Sequence, residues 1–107
     1  MAGMVFSIRM TDVAEGGEYS FVSMPSDYVH MSAWADEAIP EGCNETVEAI
    51  HRNYSLAWHT LKRRGKLGAM GLPGELTLDS IDDMESRFTC DVDIVEGTPL
   101  PLAEELP

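Results

Sequence analysis

The chain has 107 residues, 19 of them acidic and 7 basic, giving a net charge of −12 at pH 7 on about one domain's length. Its hydrophobic fraction of 44% is that of a globular protein, so the acidity does not imply disorder. The same charge argues against direct binding to DNA, RNA or an anionic membrane surface, and no stretch approaches the ~20 apolar residues of a spanning helix.

In chain order, Met4, Phe6, Ile8 and Met10 alternate with Val5, Ser7, Arg9 and Thr11, the period of a half-buried strand. These first residues do not read as a secretory leader, because they are short, interrupted by Ser7 and Arg9, and lack a basic start. Asp12 to Gly17 reads as a hairpin loop ending in two glycines, and a second strand runs from Glu18 to about Met24. Pro25 is expected to end that strand, and Ser26 or Asp27 to cap a helix reaching Ala38, with Tyr28, Met31, Trp34, Ala35 and Ala38 on one side. Ile39-Pro40 closes it.

The strongest helical signal covers residues 45–64. Asn44 is a good N-cap, Glu45 and Glu48 complement the dipole, and Val47, Ile50, Tyr54, Ala57 and Leu61 form one apolar stripe with Trp58 beside it. Lys62, Arg63 and Arg64 occupy the last turn, and Gly65 stands where a left-handed terminator belongs. Gly65 to Gly74, with glycine at every third position, reads as a flexible loop; it lacks the pattern of a phosphate-binding loop.

Thr77 is expected to cap a third helix, with Leu76 and Ile81 as a hydrophobic staple and Leu78, Ile81, Met84 and Phe88 on its apolar side. A third strand follows, with Phe88, Cys90, Val92 and Ile94 inward and Thr89, Asp91, Asp93 and Val95 outward. Residues 1–97 therefore read as one α+β domain, a small antiparallel sheet of about three strands packed against helices in the order β-β-α-α-α-β. Residues 98–107 read as a loosely attached acidic tail containing proline.

Charge is distributed unevenly. Residues 1–48 carry nine acids against Arg9, and residues 75–107 carry ten against Arg87. Between them Arg52, Lys62, Arg63, Arg64 and Lys66 stand without an acid. This basic centre reads as a dipole-complementing helix end or as an internal partner for the acidic flanks. The acids Asp79, Asp82, Asp83 and Glu85 on the third helix and Asp91 and Asp93 on the third strand are the candidate partner-binding residues. Like charges so closely spaced cost stability, and they suit either solubility or a basic partner.

Chemistry finds little support. Cys43, His51 and His59 do not share metal-ligand spacing, the aspartates do not follow a calcium loop, and Cys43 and Cys90 read as reduced, mostly buried thiols rather than a disulfide framework. Trp34, Trp58, Tyr54 and Tyr28 read as core. No catalytic, metal or cofactor site is expected. In size and charge, though in no specific motif, the chain is similar to immunity proteins against nuclease toxins and to phage-encoded inhibitors of host defence nucleases, including anti-CRISPR proteins. The function expected is that of a cytoplasmic, non-enzymatic inhibitor whose acidic, nucleic-acid-mimicking face blocks a basic protein, such as a nuclease or nucleic-acid-binding complex. The alternative is an acidic chaperone-like or assembly module that forms a homodimer and holds a secreted or phage structural client, with exposed methionine and aromatic surface as its mark.

Overall fold

A computed structural model describes residues 5–95. Both Met4 and the proline-containing acidic tail lie outside the described residues. The order is β1 (Phe6–Asp12), β2 (Glu18–Val22), α1 (Pro25–Ala38), α2 (Glu45–Arg63), α3 (Leu78–Arg87) and β3 (Phe88–Ile94), an α+β fold. The sheet is antiparallel in the order β2-β1-β3, so β1 is central and both later strands are edges. Alternation along β1 sends Ile8 and Met10 fully into the core and leaves Ser7 and Arg9 on the other face.

At the β1–β2 hairpin, Asp12 Oδ1 accepts the backbone N–H groups of Ala14 and Glu15, and Gly16 takes a positive φ of 78°. The following proline does something different from the expectation. Pro25 is the first residue of α1, where its missing N–H is no loss, and Met24 is the N-cap. Asp27 acts from inside the first turn, its Oδ2 accepting the Met24 N–H at 2.8 Å. On the apolar side of α1, Met31 and Ala35 are buried and Trp34 is half-buried, while Tyr28 is exposed and stacks on Phe6.

Both expected ends of α2 are present. Asn44 Oδ1 accepts from Thr46 and Val47, and Gly65, at φ 69°, terminates the helix in a Schellman motif in which Lys66 N–H donates to Leu61 and Gly65 N–H to Lys62. Tyr54, Ala57, Trp58 and Leu61 are buried, together with Ser55, Leu56 and Thr60. Val47 and Ile50 depart from the expected stripe, remaining 41% and 39% exposed. Periodicity assigns them to the correct side, but the described residues cover the start of the helix only in part.

The glycine segment after α2 is a packed succession of turns rather than a free loop. Leu72 is buried, Leu67 and Met70 pack against the core, and Leu72 N–H donates to Leu67. Arg87 binds the carbonyls of Gly71 and Met70, and Trp58 Nε1 donates to Pro73. Thr77 Oγ1 then accepts the Ser80 N–H, and Leu76 and Ile81 are both buried, as the staple requires. Phe88 opens β3 directly, without a loop after α3.

On β3 the inward set is graded: Phe88 is buried, Cys90 and Val92 are half-buried, and Ile94 is 61% exposed. Its register partner Phe6 is itself only half-buried, so the expected inward position of Ile94 lies at an uncovered end of the sheet.

Candidate protein-interaction surface

The basic centre is largely engaged within the molecule. Arg52 pairs with Glu48 at 2.9 Å and with Asp36 at 3.4 Å. Arg63 Nε donates to both oxygens of buried Asp27, at 2.9 and 3.1 Å. Lys62 sits over the Trp58 ring, 5.2 Å from its centroid. Lys62, Arg64 and Lys66 are exposed without an acidic partner among the described residues, and Arg64 and Lys66 border an open cleft with Tyr19, Phe21, Leu61 and Met70.

The acids are engaged less. Asp79, Asp82, Asp83, Asp91 and Asp93 are exposed and Glu85 is half-buried. Of these six, Asp83 alone makes an ion pair among the described residues, with Arg87 one turn along at 3.4 Å. Asp91 and Asp93 project from the face of the sheet opposite the helices, and the register sets Asp91 across from Arg9 and Asp93 across from Ser7. Arg9 is therefore the cation nearest in register to the strand's acidic pair. Asp79 and Asp82 lie on the exposed side of α3, beside the buried Ile81.

A groove of about 390 Å³ between α2 and the start of β3 is lined by residues that include Glu85, Asp91, Ile50, Tyr54, Phe88 and Cys90. Tyr54 donates its hydroxyl to the Phe88 carbonyl at 2.5 Å, which joins α2 to the start of β3. Burial, with smaller contributions from Cys90, Glu85 and Asp91, pushes this phenol up to about 12. Burial and then Asp91 push the Cys90 thiol up to about 12, so it is a protonated, unreactive group. Its Sγ lies 3.7 Å from the Asn53 carbonyl, and Cys43 and Cys90 are both free thiols.

A second polar cavity, lined by Ser26, Asp27, His30, His59, Lys62 and Arg63, has no counterpart in the sequence reading. The two imidazoles stack with centroids 5.9 Å apart. Burial first, then His30 and Lys62, lowers His59 to about 4, so it is neutral at pH 7. These residues come from different helices, and no local spacing announces them. Among the described residues no three metal-ligating side chains converge, and no helix is long and apolar enough to cross a membrane. Met10, Met31 and Met84 are buried, and Met24 and Met70 are half-buried.

No family model, curated protein or solved structure matches the chain, so its surface chemistry carries the functional argument.

Proposed function

We propose that this chain is a small binding protein that inhibits a basic, nucleic-acid-handling partner by presenting acids where that partner holds phosphates. The observation that carries the reading is an asymmetry in pairing. Asp79, Asp82, Asp91 and Asp93 stay exposed without an ion pair among the described residues, whereas Arg52 and Arg63 are held by acids of the same molecule. Charges left unpaired beside like charges cost folding stability, and opposite fields across an interface repay that cost in association rate and specificity. A toxin-immunity protein and a phage anti-defence protein both fit this description. Burial of Met10, Met31 and Met84 favours it over a chaperone-like module, whose client surface would need such residues outside.

Competition is the direct test. The tagged chain is used to isolate its partner from host lysate, and duplex DNA is then titrated into the purified pair. DNA is expected to release the chain, and added salt to weaken the complex. A partner without basic surface, or a complex indifferent to both DNA and salt, would contradict the reading.

A further inference from the structure

The free edge of β3 offers a second kind of recognition. Antiparallel pairing alternates, and two bonds define its phase: Val95 N–H donates to Val5, and Val13 N–H donates to Arg87. With the β1–β3 register, this directs the backbone groups of Thr89, Asp91 and Asp93 toward β1. Those of Phe88, Cys90, Val92 and Ile94 therefore point away from the sheet. Phe88 is satisfied, because its N–H donates to Met84 and its carbonyl accepts from Tyr54. The N–H and C=O groups of Cys90, Val92 and Ile94 have no protein backbone partner among the described residues. Such a row is a template for an added strand unless something blunts it.

Beside this edge lies the groove lined by Ile50, Tyr54 and Cys90, with exposed Val47 one turn further toward the start of α2. We infer that an extended basic segment of the partner adds to β3 as a fourth strand, with alternate apolar side chains toward the α2 groove and Lys or Arg toward Asp91 and Asp93. This rests on the acidic-surface reading and specifies how that surface is engaged. Main-chain bonds supply affinity in strand addition, while side-chain alternation supplies specificity.

Charge selects the occupant. A second copy pairing antiparallel about Val92 would set Asp91 and Asp93 of the two chains directly opposite each other, where like charges are destabilising. The other free edge, β2, is shorter, and the cleft beside it carries Arg64 and Lys66, which repel a basic strand.

The test uses a fluorescent ten-residue peptide of alternating lysine and valine, with the full chain labelled with nitrogen-15. Binding is expected to slow amide exchange at Cys90, Val92 and Ile94, and a glutamate–valine peptide to bind at least tenfold more weakly. Val92→Pro removes an outward N–H without removing a bond to β1, and it is expected to weaken binding at least tenfold. A lysine–valine peptide methylated on its valine backbone nitrogens, which an antiparallel added strand turns toward β3, keeps its charge and should lose affinity similarly, whether or not Val92→Pro folds. Equal binding of the methylated peptide, protection elsewhere in the chain, or no binding at millimolar concentration would overturn strand addition. So would concentration-dependent protection of these amides without peptide, which would mean that a second copy occupies the edge. If the methylated peptide binds equally and Asp91→Lys/Asp93→Lys abolishes that binding, strand addition fails while charge-directed docking stands. If binding ignores both changes, both fail.

Discussion

Replacing Asp27 by alanine tests the junction between α1 and the end of α2. The side chain is 2% exposed and serves two donors, the Met24 N–H at 2.8 Å and Arg63 Nε at 2.9 Å. Losing the acceptor that closes the first turn of α1 costs about 1 kcal/mol, in the range of helix-cap deletions. The ion pair adds less than a buried one would, because the Arg63 side chain is 41% exposed and regains water when released. A further contribution of about 1 kcal/mol brings the expected loss to about 2 kcal/mol. Arg63→Ala should cost about 1–2 kcal/mol, because it strands a buried carboxylate that retains only one donor. The double variant should then fall short of additivity by at least ~0.5 kcal/mol. Urea unfolding followed by circular dichroism measures all three. Additive losses, or an Asp27→Ala loss below about 0.5 kcal/mol, would show that the pair does not couple the helices.

Three other outcomes follow from single groups. His59 has a folded value of about 4 against an ordinary 6.5, so the unfolded chain takes up its proton first as pH falls. Stability should therefore decline from pH 6.5 toward 4, and His59→Gln should flatten that decline in urea midpoints measured across the window. Tyr54 is held near 12, so alkaline titration at 295 nm should show one late-ionising tyrosine that disappears in Tyr54→Phe. That variant should also lose about 1–3 kcal/mol by leaving the Phe88 carbonyl unsatisfied, and an unchanged unfolding midpoint would contradict the bond. Gly65→Ala places a Cβ in open space at φ 69°, so its cost should be conformational alone, about 1 kcal/mol, read from thermal unfolding.

What the amino-acid order made legible was local. Asn44, Thr77 and Gly65 mark helix ends through bonds to residues at most four positions away, and alternation identifies the faces of β1 and β3. Pro25 was ambiguous because the residue that stops a strand also starts a helix. Exposure at Val47, Ile50 and Ile94 escaped the reading because periodicity gives the direction of a side chain and not what lies opposite it. The packing of the glycine segment depends on Arg87, 16 and 17 residues away, and the engagement of Arg63 depends on Asp27, 36 away. Among the candidate acids, sequence placed each on its element, whereas the sharing of one groove by Glu85 and Asp91 depends on tertiary structure.

The central claim is that exposed acids on α3 and β3 hold the partner, and charge reversal tests it most directly. The variant Asp79→Lys, Asp82→Lys, Asp91→Lys, Asp93→Lys spares the Asp83–Arg87 pair. With an unchanged circular dichroism spectrum, its affinity for the isolated partner is compared with that of the original chain between 50 and 300 mM salt. The original chain should weaken at least tenfold across that range, and the variant should show no binding at 50 mM. A variant that binds within twofold of the original, or an original complex insensitive to salt, would contradict the account.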